Sequence, residues 1–354
     1  MKLNNIPIPF FVLLRAGLWS KSPEHECFPL NADVWEQIYF LARKQTVEGL
    51  IYDGIMLLPT ESLPPKNLLI KWTVLIDSIE SRNKQMNEAI EELNNLFLEN
   101  HITAFLQKGQ GLAACYEKPL HRICGDVDWC FQSQSEYDRA NQLIRSKGIP
   151  TKIQAGYSVA YEWRGFLIEH HSRLLDIHNP FVSSYLAKLQ QVEYKNKTAL
   201  CLGEREVTLF SPLLTHVSVN SHILKHFLSF GIGLRQLCDS ARICCAYHDE
   251  IDKTLLKEVY CKTGLYRWMC LLNTLLVQEL GMPVTYLPFP LSFDSQYGWM
   301  MEDIFRGGNF GFYDTRYGFH ILRRFLHNVR YVPSEAFWFP VLQIYSRIKN
   351  YRNR

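Results

Sequence analysis

The sequence lacks several patterns that define common protein classes. Its ten cysteines include no Cys-x-x-Cys pair and none with zinc-finger spacing to histidine. It contains no internal repeat and no low-complexity segment. No stretch is long and uncharged enough to span a membrane, and the apolar run Ile6–Leu14 is short, interrupted by prolines and without a basic leader. We therefore expect a cytoplasmic protein with reduced thiols and no transmembrane segment.

Charge is nearly balanced over the whole chain but not along it. The formal net charge is +3, which by itself gives no reason to expect nucleic-acid binding. From residue 306 to the end, eight arginines and one lysine face only Asp314 and Glu335, a local balance of +7. This basic tail is either a solvated helical surface or a site for phosphate, acidic lipid or an acidic partner. The central part has no basic stripe with interleaved aromatics, so long nucleic acids are not expected partners.

The aromatic segment Phe337-Trp338-Phe339-Pro340 precedes the last four basic residues of this tail. Aromatic side chains beside positive charge are typical of interfacial membrane contact or of a partner site. The interpretation that we favour is that these rings pack onto the helical part of the protein.

Hydrophobic periodicity divides the chain into three regions, within the two or three packed units that 354 residues allow. We predict an N-terminal helical region (1–100), a mixed α/β core (101–205) and a C-terminal helical domain with the basic tail (206–354). The fold class is α+β, a small mixed β-sheet flanked by helical regions. Predicted helices cover Val34–Tyr52, Leu68–Ile79, Ser81–Asn100, Leu112–Tyr116, Ser135–Lys147, Leu214–Phe230, Leu234–His248, Lys253–Thr263, Tyr266–Leu280 and Tyr317–Val332. Predicted strands cover Ile102–Leu106, Asp126–Phe131, Thr151–Ile153, Tyr157–Trp163 and Phe166–His171, with a hairpin turn joining the last two.

Two carboxylates open the second predicted strand. Asp126 and Asp128 share one face because strand side chains alternate, and their carboxylates are then roughly 6–7 Å apart. At an effective dielectric near 20 their repulsion costs about 2–3 kcal/mol. A bridging cation removes this cost, and hard divalent ions such as Mg²⁺ prefer oxygen ligands. The pair therefore indicates a metal site.

Two further pieces flank this pair in the sequence. Lys108-Gly109 stands where a strand turns into a helix, so Lys108 and free backbone N–H groups form a candidate phosphate cradle. Gly109 and Gly111 would let a ligand approach the backbone, although a strand-to-helix turn can need glycine for its own sake. Glu169 shares a strand face with His171, and it is either a third metal ligand or a solvated edge residue. Three converging carboxylates suit two divalent ions about 4 Å apart.

These motifs resemble the nucleotidyltransferases of the DNA polymerase β type. The chain is more closely similar to a bacterial family catalogued as uncharacterised nucleotidyltransferases. The resemblance rests on Leu106–Gly109, on Arg122 followed by Gly125-Asp126-Val127-Asp128, on Ile168–His171 and on Leu234–Arg242. Two departures affect the nucleotide pose, since many superfamily members have Gly-Ser where this chain has Lys108-Gly109, and Asp is common where it has Glu169.

The resemblance implies transfer of a nucleoside monophosphate from a nucleoside triphosphate, with ATP expected, to an acceptor hydroxyl on a small molecule, sugar or macromolecule. Asp126 and Asp128 would bind both Mg²⁺ (or Mn²⁺) ions, and Glu169 would complete the site near the acceptor. Lys108 and the backbone near Gly109 would contact the β- and γ-phosphates. The alternative is a catalytically degenerate member that acts as a binding or regulatory module. The oligomeric state stays open.

Further candidate nucleotide-binding residues flank the motifs or lie on predicted helices. Arg122 precedes the metal strand, where it would orient a carboxylate or cap the turn. Arg235, Asp239 and Arg242 share a helix face, which lines the cleft or forms an ion-pair stripe at the surface. Lys225 is a candidate triphosphate contact between His222 and His226, which we interpret as core or supporting histidines rather than a zinc site.

Overall fold

A mixed five-stranded sheet lies in the middle of the chain in the computed structural model, which describes residues 7–23, 25–154, 158–203, 205–291, 297–314 and 325–352. Its strands are β1 (Ala104–Gln107), β2 (Asp126–Phe131), β3 (Lys152–Ile153), β4 (Val159–Trp163) and β5 (Phe166–His171). They lie in the order β1-β2-β5-β4-β3. β2 and β5 are parallel, and the other neighbours are antiparallel. The α+β prediction is confirmed, and the predicted bounds of β2 and β5 match those observed.

Helices precede and follow this sheet in the sequence. The N-terminal helices are α1 (Ile8–Trp19), α2 (Ala32–Gln45), α3 (Glu48–Ile55) and α4 (Lys66–Glu99). Within the core lie α5 (Gly109–Ala113), α6 (Gln134–Ser146) and α7 (Ser183–Glu193), followed by the hairpin β6 (Thr198–Leu202) and β7 (Arg205–Leu209). The C-terminal helices are α8 (Pro212–Ser229), α9 (Leu234–Ala246), α10 (Lys253–Thr263), α11 (Tyr266–Leu280), α12 (Gly298–Gly307) and α13 (Pro333–Arg352). Among the described residues, no helix combines the length and apolarity that a bilayer crossing needs.

Several element predictions were wrong in detail. The single helix predicted over Val34–Tyr52 is two helices, because Thr46 takes a left-handed conformation (φ 54°) that ends α2. The two helices predicted over 68–100 are instead the continuous α4 of 34 residues, since no glycine or proline separates them. The β6–β7 hairpin was not predicted. The first half of the predicted helix Tyr317–Val332, residues 317–324, lies outside the described residues, and so does Tyr157. Of the second half, 325–329 are helical.

Local capping and turn chemistry explain the core elements. Ser133 begins α6 by accepting a hydrogen bond from the backbone N–H of Glu136 at 3.2 Å, two residues before the predicted cap. The predicted hairpin turn joins β4 and β5 through Arg164 and Gly165, which both have positive φ. Paired left-handed residues match the twist of an antiparallel hairpin. This hairpin sets which β5 side chains face each side of the sheet.

The buried side chains form two hydrophobic clusters. The smaller packs α4 and α6 against the sheet, with Phe97, Trp129 and Ile168 among its members. The larger joins side chains of α1–α3 to those of α8–α12. α4 contributes to both, through Trp72 in the larger and Phe97 in the smaller. The first and last predicted regions therefore share a core, and the division at residues 100 and 205 stays a prediction.

Alternation along β5 decides what faces the helices. Ile168 and His170 point into the smaller cluster, where the His170 ring bonds to Tyr161 and Asn141. Glu169 and His171 therefore point to the opposite face. That face is covered by α8, whose Ser218 accepts a hydrogen bond from Gln107 at 2.5 Å. The polar side chains of β2 and β5 thus lie between the sheet and the C-terminal helices.

Candidate active site

The parallel pairing of β2 with β5 brings two of the predicted carboxylates together. In the strand register, Asp128 lies opposite Glu169, and Asp126 lies opposite Leu167. His171, one alternation beyond Glu169, places its Nε2 atom 2.5 Å from Asp128 Oδ1 and 3.5 Å from Glu169 Oε2. Asp128 is buried, and the other two are half-buried. The strand that carries Glu169 is therefore a direct neighbour of the strand that carries Asp126 and Asp128.

Asp128, Glu169 and His171 could hold a metal ion. One possible ligand atom from each lies within 4.8 Å of those of the other two. The two carboxylate oxygens suit Mg²⁺ or Mn²⁺, whereas an imidazole nitrogen is a ligand of transition metals rather than of Mg²⁺. Asp126 is not part of this group of ligand atoms. Sequence reasoning noted that His171 shares the face of Glu169 but did not assign it to the site.

Lys108 supplies positive charge beside these carboxylates. It follows β1 with φ 54° and ψ −146°, an unusual conformation for a residue other than glycine. Its Nζ atom lies 4.0 Å from Asp128 Oδ2. Gly109 follows with φ 45°, and a Cβ atom there would be 3.3 Å from the Asp126 carbonyl oxygen. Backbone strain of this kind, of the order of 1–3 kcal/mol, often accompanies functional sites.

The two other glycines of the motifs differ in their surroundings. A Cβ atom on Gly111 would meet a Leu209 methyl at 3.2 Å, so this glycine leaves room for internal packing. A Cβ atom on Gly125 would meet no atom of the described residues within 4 Å. Space is therefore free beside the entry to β2.

The site carboxylates differ in their proton affinity. Repulsion from Asp128, with burial and the charge of Glu169, raises the pKa of Asp126 to about 6. Burial opposes ionisation of Asp128, but Lys108 and His171 outweigh it and hold the pKa of Asp128 below its ordinary value. Burial and Asp128 raise the pKa of Glu169. Burial also acts against the charge of Lys108, but the negative charges of Asp128, Asp176, Asp126 and Glu169 raise the pKa of Lys108 overall.

A second charged cluster adjoins Lys108. Asp176, in the segment after β5, accepts hydrogen bonds from Lys225 Nζ at 2.9 Å and from His222 Nδ1 at 2.7 Å. Burial opposes the charge of Asp176, but Lys225 and His222 hold the pKa of Asp176 well below its usual range. Burial and Lys108 lower the pKa of His222 to about 4. Asp176 was missed because it lies in an irregular segment with no periodic pattern.

Arg122 and Asp239 form a buried ion pair between the core and α9. Arg122 donates to both Asp239 oxygens, from Nε at 2.7 Å and from Nη2 at 2.8 Å. Tyr116 donates to the same carboxylate at 2.7 Å, and Arg122 Nη1 donates to the Gly109 carbonyl at 3.0 Å. Both side chains were predicted to contact nucleotide. Their polar atoms instead form hydrogen bonds within the protein. We therefore assign both residues the role of positioning the Lys108–Gly109 turn.

The two other arginines of α9 differ from each other. Arg242 is buried and donates to the carbonyls of Cys115 and Leu18 and to Glu117. It therefore joins the core to α1, and the predicted stripe with Arg235 and Asp239 does not lie at the surface. Arg235 donates to the Ile123 carbonyl at 2.7 Å. Its charge also lowers the pKa of Asp126, although Asp128 and burial outweigh that effect.

Phe310 stands next to two unpaired polar atoms. Its ring lies 4.8 Å from the His226 ring and 6.0 Å from the Arg235 guanidinium carbon. Within the part of the chain that the structure describes, His226 Nδ1 and Arg235 Nε are buried without a hydrogen-bond partner. Of the three α9 candidates, Arg235 is therefore the one that retains donor capacity for a ligand.

Comparison with known proteins identifies the family of the chain. The chain belongs to the family described as uncharacterised nucleotidyltransferases, whose sequence model matches residues 31–281. No curated protein sequence matches it. The chain is also similar to the crystal structure of an antigenic nucleotidyltransferase-like protein from Paracoccidioides brasiliensis, with 16% identity over 52% of this chain and 88% of that one. The TM-score of 0.31 is too low to support any argument. Family membership confirms the resemblance to uncharacterised nucleotidyltransferases and supports a role in nucleotidyl transfer.

We expect Asp126→Asn to stabilise the metal-free protein at neutral pH. Because the pKa of Asp126 is raised to about 6, the folded state binds a proton more tightly than the unfolded state. The free energy of unfolding therefore falls as pH rises from about 4 to about 6, and the substitution removes that loss. Urea unfolding at pH 7.5 should show a gain of roughly 1–3 kcal/mol that shrinks towards pH 4. Exposed Asp77→Asn is the control, and a less stable Asp126→Asn protein at pH 7.5 would contradict the assignment.

Asp239→Asn should destabilise the protein whether or not nucleotide is present. Breaking a buried pair leaves the Arg122 guanidinium uncompensated, which costs roughly 3–5 kcal/mol. Urea unfolding measures this loss, with Lys84→Gln, which removes an exposed pair to Glu80, as the control. An unchanged unfolding midpoint combined with weaker triphosphate binding would instead place Asp239 in contact with nucleotide.

Proposed function

We propose that the protein is a metal-dependent nucleotidyltransferase that moves a nucleoside monophosphate from a nucleoside triphosphate, ATP in our expectation, to an acceptor hydroxyl. The observation that carries this proposal is the meeting of Asp128, Glu169 and His171 beside Lys108, in a chain that belongs to a nucleotidyltransferase family. Two carboxylates brought together beside a cation are typical of sites that bind a divalent ion and a phosphate chain.

The donor set supports at least one divalent ion. Asp128 and Glu169 would hold it through oxygen, and His171 would either bind it or orient Asp128. Asp126 is our candidate to join Asp128 in holding a second ion, because the charges of Asp128 and Glu169 act on the Asp126 carboxyl and raise its pKa. Bound Mg²⁺ or Mn²⁺ supplies neutralisation of the charge that develops on the phosphate oxygens. Without an ion, the charges of Lys108 and Arg235 offset the repulsion at Asp126 only in part.

Lys108 and Lys225 are the candidates to receive the triphosphate. Both are half-buried, and each lies beside a carboxylate, Asp128 or Asp176. A lysine ammonium acts as a compact charge on phosphate oxygens. The Arg122–Asp239 pair stabilises the turn that places Lys108, because Arg122 also donates a hydrogen bond to the Gly109 carbonyl. Arg235, next to Phe310, would contact another part of the nucleotide or acceptor.

The transfer itself needs one proton acceptor. The hydroxyl oxygen of the acceptor substrate forms a bond to the α-phosphorus of the triphosphate. The bond from the α-phosphorus to the oxygen that bridges to the β-phosphate breaks, and pyrophosphate leaves with the electron pair of that bond. Glu169 is our candidate to take the hydroxyl proton, because burial and Asp128 raise the pKa of its carboxyl.

The ten cysteines are all free thiols, which supports our proposal of a cytoplasmic location.

A nucleoside triphosphate together with Mn²⁺ or Mg²⁺ should raise the melting temperature of the wild-type protein. A ligand at about 100 times its dissociation constant adds roughly 2.7 kcal/mol of stability, a shift of several degrees in a thermal melt. Asp128→Asn and Glu169→Gln should each weaken the response by at least about tenfold in ligand concentration, since both remove proposed ligand oxygens.

Glu206→Gln is the matched control, since it neutralises an exposed carboxylate on β7, away from the site. It should respond to nucleotide like the wild-type protein. The proposal fails if none of the common triphosphates shifts the wild-type transition with either ion.

A further inference from the structure

The C-terminal helix α13 carries apolar side chains on the side that faces away from the protein. Phe337 and Val341, one turn apart, are 57% and 40% exposed. Glu335, Ala336 and Phe339 of the same helix are buried. The spacing of Phe337 and Val341 continues in the sequence at Ile344 and Ile348. An apolar stripe normally faces the core, whereas Phe337 and Val341 remain exposed to water on the side of α13 opposite its buried residues.

A neighbouring turn extends this surface. Phe181, in the turn Pro180–Val182, is 83% exposed, and its ring lies 5.9 Å from that of Trp338. The Trp338 ring also lies 5.2 Å from that of Phe337. Three aromatic side chains from two segments therefore form one continuous patch, which with Val341 we call the aromatic face.

Glu335 fixes the two segments to each other. Its buried carboxylate accepts hydrogen bonds at 2.9 Å from the backbone N–H groups of His178 and Asn179 and from the His178 ring. The His178 ring in turn lies 5.0 Å from that of Phe339. The aromatic face is consequently a preformed surface rather than two independent loops. The expectation that these rings pack onto the protein holds for Phe339 but is wrong for Phe337.

The charge that follows the aromatic face in the sequence selects its occupant. After Val341 the sequence contains Arg347, Lys349, Arg352 and Arg354 and no acidic residue. This is the most basic part of a segment with a net charge of +7. Aromatic side chains prefer the boundary between lipid headgroups and acyl chains, and basic residues that follow them are attracted to anionic headgroups. A second copy of this chain carries the same positive charge in this segment and so offers no charge complementarity to it.

We infer that the aromatic face and the basic end of α13 dock the protein on the surface of an anionic lipid bilayer. Phe181, Phe337 and Trp338 would enter the headgroup boundary, and the positive charges would lie over the phosphate groups. Such docking is peripheral, in keeping with the absence of a membrane-crossing helix among the described residues. The inference is independent of nucleotidyl transfer, because it uses none of the proposed site residues.

Co-sedimentation of the full chain with vesicles tests this inference. Equimolar phosphatidylcholine and phosphatidylglycerol vesicles should bind the wild-type protein at least about tenfold more tightly than phosphatidylcholine alone. The double variant Phe337→Ser/Val341→Ser should lose about tenfold or more of that binding. The control Ile70→Ser/Val74→Ser removes another exposed pair one turn apart, 53% and 62% exposed on α4, and should bind like the wild type.

Three outcomes would overturn the inference. One is equal binding to both kinds of vesicle, and another is equal loss of binding in the control and in the Phe337/Val341 variant. The third is a wild-type dimer by light scattering that the Phe337/Val341 variant converts to a monomer, since a second copy would then occupy the aromatic face. Circular dichroism melts of both variants establish that each is folded. The nucleotide-induced shift of the melting temperature, measured on the same variants, distinguishes a loss of lipid binding from a failure of the proposed nucleotide site.

Discussion

The parallel pairing of β2 with β5 is the constraint on which the rest of the site depends. It sets Asp128 against Glu169 on a surface that α8 covers, where charged groups are costly to bury. The protein offsets this cost with Lys108, held in a strained backbone conformation 4.0 Å from Asp128, and with His171 at hydrogen-bond distance. A shift of one residue in the strand register would turn Glu169 into the hydrophobic cluster and separate these groups.

The helical regions take part in the site as well as enclosing it. α8 supplies His222 and Lys225, which pair with Asp176 behind Lys108. α9 supplies Asp239, whose buried pair with Arg122 secures the turn that presents Lys108. The aromatic face on α13 is joined through Glu335 to the segment that also carries Asp176. In a lipid-docked protein, hydrogen bonds to Glu335 would therefore connect the lipid-contacting surface to the segment that carries Asp176.

Sequence reasoning was most successful where local pattern and tertiary structure agree. The alternation in Asp126–Phe131 and Phe166–His171 predicted both strands and the separation of Glu169 from His170. It failed where long-range contacts decide. Arg122, Asp239 and Arg242 have the chemistry of ligand contacts, but only the packing of α9 against the core shows that their hydrogen-bonding capacity is already used. Asp176 was not found because its partners lie more than forty residues away in the sequence. The exposure of Phe337 depends on which side of α13 meets the protein, and an aromatic run alone does not specify it.

The most direct measurement of the central claim is the position of a bound metal ion. Crystals grown with Mn²⁺ and a non-hydrolysable triphosphate can be examined for anomalous scattering from manganese. The account predicts a peak in contact with oxygen atoms of Asp128 and Glu169, with the phosphates beside Lys108. A manganese peak elsewhere, or triphosphate bound with no ion between these carboxylates, would contradict it.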